Sequence, residues 1–133
     1  MRFCLLYGSE LWAEKKEIEL RMERIEMKMI RWMVGVRLMD KVASQDLRKM
    51  LGLESMSTVL RRKRLGWFGH VQRKAVEECV KTCMDLKIKG NARRGRPKKT
   101  WWENVKEDMR VAGLVKRHAV DRDKWRAGVA RIR

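Results

Sequence analysis

Between Lys15 and Val34, Ile18, Met22, Ile25, Met29 and Trp32 recur in alternating steps of four and three. That spacing draws one apolar stripe along an α-helix and is incompatible with the two-residue alternation of a half-buried strand. The stripe reads as a core face, and pairing with a second copy along it is the alternative use. Gly35 stands where a left-handed cap would end the helix. A short helix is expected next, with Ser44 as N-cap, Leu47 and Leu51 facing inward and Gly52 as its stop. Another begins near Ser55 or Ser57 and runs to Val71, with Leu60, Trp67 and Val71 on one side. Gly66 and Gly69 within it weaken the helix but allow close approach. Residues 74–88, with Val76, Val80, Cys83 and Met84, read as a further helical segment. Lys98 to Ala112 carries Trp101, Val105, Met109 and Ala112 on one face and closes at Gly113, and a last helix holds Trp125 and Val129. No run alternates with a period of two. The expected fold is all-α, about five helices joined by short loops. It forms one domain, 1–133: N-terminal helices over 1–88, a basic Gly/Pro loop over 89–97, and C-terminal helices over 98–133.

Charge narrows the partner. The 133 residues carry a formal net charge of +17, far beyond what solubility requires, and polyanion binding is the usual use of such an excess. It is concentrated: residues 60–100 hold 14 Lys and Arg against 3 Asp and Glu. Two blocks stand out. Arg61, Arg62, Lys63 and Arg64 make nearly a full helical turn of positive charge, whose mutual repulsion a counter-anion would relieve. Arg93, Arg94, Arg96, Lys98 and Lys99 surround Gly95 and Pro97 in an extended loop that ends at Trp101 and Trp102. Both blocks are expected to contact phosphates, with His70 packing or touching a phosphate. Trp67 and Trp102 are the candidates for stacking on bases, worth about 1–3 kcal/mol each. Trp32, Trp101 and Trp125 fall on apolar faces and read as core. If about six of these cations neutralise phosphates on duplex DNA, log K falls against log salt with a slope near −5.

Arg94-Gly95-Arg96-Pro97-Lys98-Lys99 resembles the AT-hook, a minor-groove motif in which two arginines enter a narrow groove and flanking lysines hold phosphates. A wider pattern gives a second resemblance. Tyr7-Gly8-Ser9-Glu10-Leu11-Trp12, Glu26 to Gly35, Arg61 to Arg73 with its Leu65-Gly66-Trp67-Phe68-Gly69-His70-Val71 block, Arg94 to Trp101, Val105 to Asp108 and Asp121 to Arg126 follow in order. Together they resemble the C-terminal region of reverse transcriptases from non-LTR (LINE-type) retrotransposons. Leu11 and the segment Cys79 to Asp85 depart from that pattern. The resemblance implies a thumb-and-tail fragment of an RNA-directed DNA polymerase, without endonuclease or palm, whose basic helices grip RNA or DNA. A helical interaction module with inherited charge, binding a partner through Ile18 to Trp32, is the rival reading. A lone AT-hook-like DNA-binding protein is a third.

Catalysis is not expected. Polymerase chemistry needs paired carboxylates around two metal ions about 3.5–4 Å apart, whereas Asp121 and Asp123 are two residues apart on an expected helix and diverge. Asp40, Asp46, Asp85 and Asp108 are isolated, and there is no Gly-rich phosphate loop, so no cofactor or small-molecule substrate is implied. Cys79 and Cys83 lie one helical turn apart, but with His70 upstream and only Cys4 or His118 to complete a set, they read as buried free thiols rather than zinc ligands. Three cysteines without a disulfide framework fit a reducing compartment. Met1 to Tyr7 is too short for a signal h-region and reads as the interior of an element whose first part is missing. No stretch approaches the ~18 apolar residues of a membrane span. The expected location is nuclear or cytoplasmic, the basic run favouring the nucleus.

Overall fold

The computed structural model describes residues 2–86, 95 and 99–132. All regular structure among them is helical, as expected. Seven α-helices follow one another: α1 (Arg2–Leu5), α2 (Lys16–Val34), α3 (Ser44–Met50), α4 (Met56–Gln72), α5 (Cys79–Asp85), α6 (Trp101–Ala112) and α7 (Arg122–Ala130). The short turns of α1 and α5 exceed what periodicity resolves, and α5 is only part of the helix expected over 74–88. Three 3₁₀ turns, Ser9–Leu11, Leu38–Asp40 and Lys116–Ala119, fill connections.

Helix ends follow local chemistry. Gly35 closes α2 at φ 73° and Gly113 closes α6 at φ 64°, the left-handed conformation in which a missing Cβ costs nothing. The Ser55 side chain accepts from the Thr58 amide to start α4. Thr100 and Glu103 form a reciprocal capping box on α6. Asp121 caps α7 by accepting from the Asp123 and Lys124 amides, which hold its carboxyl below the usual range. At α3 the expectation is corrected: Ala43 is the N-cap and Ser44 is already the first helical residue.

α4 is the hub, packed against the Ser9–Leu11 turn, α2, α5, α6 and α7. Its inner side contributes to two apolar clusters. Leu65 and Phe68 join Val105, Met109, Ala119, Trp125 and Ile132; Met56 and Leu60 join Leu6 and Met22. Met27, Ile30 and Leu47 form a third between α2 and α3. Trp125 lies against Gly69, where a Cβ would fall inside the indole, and donates its Nε1–H to the Leu65 carbonyl at 2.9 Å. The close approach expected of this glycine is therefore made to the chain's own tryptophan.

The stripe on α2 is a correction. The helix buries Met22, Glu26, Met27 and Ile30, while Ile18, Ile25 and Trp32 are exposed, Trp32 at 82%. The buried arc is turned about a quarter revolution from the predicted one, because Met27 and Ile30 pack on Leu47 and Glu26 turns inward toward Arg48. Trp32 is thus not a core residue. Trp125 is, and Trp101 is half-buried, its Nε1–H donating to the Glu10 carbonyl at 2.7 Å. The cysteines are also corrected: Cys4, Cys79 and Cys83 are all exposed.

Candidate nucleic-acid interface

The run Arg61–Arg64 turns out to be answered from within the chain. Arg64 is 2% exposed, its guanidinium 3.2 Å from Glu14 Oε2 and 3.1 Å from Asp108 Oδ2. Asn104 supports the site by donating to the Glu14 carbonyl at 3.0 Å. Burial drives the Asp108 carboxyl up to about 6, against the pull of Arg64 and then Arg61, and burial raises Glu14 likewise. Arg61 lies 3.6 Å from Asp108. Arg62 grips Glu54 through Nη1 at 2.8 and 2.7 Å and donates Nη2 to the Ile132 carbonyl at 2.7 Å. Lys63 is exposed, with Nζ donating to the Leu6 carbonyl at 3.0 Å. The repulsion that pointed to an external counter-anion is relieved by Glu14, Glu54 and Asp108. Arg64 is consequently a buried strut joining α4, α6 and the segment before α2, not a phosphate contact.

The aromatic candidates separate too. Trp102 packs on Phe68 (centroids 5.4 Å apart) and carries the Lys106 and Lys116 ammonium groups, each 5.8 Å from its ring centre. It is a wall of the core rather than a free platform. Trp67 is half-buried with the exposed His70 imidazole 5.7 Å away, so these two remain together on the outer side of α4. Of the second basic block, Lys99 is exposed, and Arg93, Arg94, Arg96 and Lys98 lie outside the described residues. Gly95, at φ 128°, adopts a backbone that side-chain-bearing residues rarely take.

A different basic feature emerges between α4 and α7. Arg62 and Gly66 from α4, Arg73 at its C-terminal cap, and Arg122, Trp125, Arg126 and Val129 from α7 line a cleft of about 490 Å³. Four arginines face it and no carboxylate belongs to its lining. Arg73 is anchored by donating to the Ala119 carbonyl at 2.9 Å, and Arg62 presents a buried Nε–H without a partner. Arg122 and Arg126 are exposed, one turn apart on the same face of α7, and form no ion pair among the described residues. Gly66 has open space where a side chain would begin, so the cleft stays clear at its middle. Arg62 is already engaged by Glu54 and the Ile132 carbonyl, so the guanidinium groups left to an outside ligand are chiefly those of Arg122 and Arg126, with Arg73 beside them. Such groups suit phosphate oxygens, which they bind through paired N–H donors. Sequence reasoning missed Arg73, Arg122 and Arg126. The Arg122-x₃-Arg126 spacing was visible, but its opposition to Arg62 and Arg73 depends on how α7 packs across Gly69.

Among the described residues no group of three His, Cys, Asp or Glu side chains is arranged to hold a metal ion, and no helix is long and apolar enough to cross a membrane. Cys79 and Cys83 have sulfurs 3.8 Å apart, and sharing a hydrogen bond pushes the Cys83 thiol up. No protein-family model, curated protein or solved structure matches the chain.

Proposed function

We propose that this protein is a non-catalytic nucleic-acid-binding module that holds the phosphate backbone of RNA or DNA in the α4–α7 cleft. The observation that carries the reading is four arginines around one cleft with no acid in its lining, in a chain of net charge +17. Trp67 and His70 on the same helix and Lys99 before α6 extend the contact surface. Phosphate contacts fix position without reading sequence, so the expected binding is strong, salt-sensitive and tolerant of base order. The reading agrees with the resemblance to the C-terminal part of a non-LTR retrotransposon reverse transcriptase: a grip on template or product, without the carboxylates of polymerase chemistry, acting in the nucleus or cytoplasm. It relocates that grip from the Arg61–Arg64 run to α4 and α7 together.

Fluorescence anisotropy with a labelled 20-base-pair duplex and a single-stranded RNA of the same length tests it. Arg122→Ala/Arg126→Ala should weaken binding by about tenfold or more while the helical circular dichroism is unchanged, as expected for two lost phosphate contacts. Equal affinity of variant and wild type would refute the assignment.

A further inference from the structure

A second concavity lies along α2 and shares no lining residue with the arginine cleft. It is a groove of about 990 Å³ between α2, the Gly35–Leu38 turn and the start of α3. Its lining runs from Leu20 to Gly35 along α2, about 22 Å at helical rise. The apolar part of the lining is Leu20, Met27, Trp32, Val36 and Leu38. Leu20 is 51% exposed, Leu38 79% and Trp32 82%, a density of bare apolar surface that a water-facing helix does not normally keep.

Cations share the lining. Arg24, Lys28 and Arg31 follow at steps of four and three along α2, joined by Arg37 and Arg48; Glu23 is the one acid in the lining. Glu23 lies 3.9 Å from Arg48. Arg24, Lys28, Arg31 and Arg37 have no ion-pair partner among the described residues. Arg31 donates Nη2 to the Val42 carbonyl at 2.7 Å, and its Nη1 is buried without a partner.

We infer that this groove docks an acidic amphipathic helix from a partner protein. Its length suits about four helical turns, its bare apolar residues suit leucine-type anchors at i, i+3/i+4 and i+7, and its basic stripe repeats at the spacing of carboxylates on the flank of such a helix. A nucleic-acid strand fits less well, since it would set phosphates against Leu20, Val36 and Leu38 with one aromatic ring for its bases. A second copy of this chain fits less well again, because it would bring a like-charged surface and a net charge of +17 to meet the first. The inference is independent of the phosphate cleft: the two surfaces share no lining residue.

The test uses the full chain and three fluorescein-labelled probes in 0.5 M NaCl, where general attraction between opposite charges is screened. The first is a 16-residue Glu-rich helical peptide with leucines at i, i+3, i+7 and i+11. The second has the same charge with every leucine replaced by serine, and the third is a 15-nucleotide single-stranded DNA. The leucine peptide should bind at least about tenfold more tightly than the serine peptide, and Leu20→Glu/Leu38→Glu should remove that advantage while leaving helical circular dichroism intact. Arg122→Ala/Arg126→Ala should leave peptide binding unchanged. Equal binding of the two peptides, no binding of either, or a Leu20→Glu/Leu38→Glu variant that loses the DNA rather than the peptide would each overturn the inference.

Discussion

Replacing Arg64 with methionine probes the account at its most loaded point. The guanidinium sits between Glu14 and Asp108 with all three side chains at least 95% buried. Removing one member of a buried ionic cluster and stranding the others costs about 3–5 kcal/mol, so Arg64→Met should lose about 4 kcal/mol at pH 7.5. The loss should depend on pH in a definite direction. The Asp108 carboxyl stands at about 6 in the folded protein against an ordinary 3.8, so the folded state holds this proton more tightly than the unfolded one. Its contribution is therefore greatest below the unfolded value and declines as pH rises through 6, by about 3 kcal/mol at pH 7. Without Arg64 the carboxyls lose their main stabilising charge and rise further. At pH 5, where Asp108 is already largely protonated, the variant should trail wild type by less than about 2 kcal/mol. Urea unfolding followed by circular dichroism at 222 nm, at pH 5 and 7.5, measures both differences. A loss under about 1 kcal/mol at pH 7.5, or one that is the same at both pH values, would show that Arg64 does not hold these two carboxyls in the folded state. Adding Glu14→Gln and Asp108→Asn to Arg64→Met should recover most of the lost stability, since no buried charge is then left unpaired.

Gly69→Ala should destabilise by about 2–4 kcal/mol, from displacement of the Trp125 indole and loss of its bond to Leu65, whereas Gly66→Ala, with open space around it, should stabilise by up to about 1 kcal/mol; urea midpoints of the two variants decide this. Thr100→Ala should cost about 1 kcal/mol through loss of the capping box on α6, read as a lower melting temperature. All three thiols should react with a disulfide reagent in native buffer, Cys83 slowed by the hydrogen bond it shares with Cys79; reaction of fewer than three before unfolding would contradict the exposure described.

Helix positions were legible because their causes are local. The apolar periodicity of α2, the glycines at 35 and 113 and the serine at 55 each act within a turn or two of chain. Which face turns inward was not legible on α2, since it is fixed by Leu47 and by a Glu26–Arg48 pairing on a neighbouring helix. The same limit governs the site. Nothing near Arg64 in sequence announces that Glu14 and Asp108 will neutralise it, because the pairs span 50 and 44 residues. A basic run therefore looked like an open surface and became in part a core strut. Conversely, Arg122 and Arg126 belonged to the Asp121–Arg126 block of the resemblance but had no site role until α7 set them opposite Arg62 and Arg73.

The salt dependence of duplex binding counts the phosphate contacts made in the α4–α7 cleft. Arg73, Arg122 and Arg126 engaging phosphates give a slope of log K against log salt of about −2.7, steeper if Arg62 exchanges Glu54 for a phosphate or Lys99 joins. Arg122→Ala/Arg126→Ala should flatten that slope by about 1.8, while the Arg64→Met/Glu14→Gln/Asp108→Asn variant should leave it within about 0.5 of wild type. A wild-type slope near zero, or one that the α7 substitutions leave unchanged, would contradict a phosphate grip in this cleft.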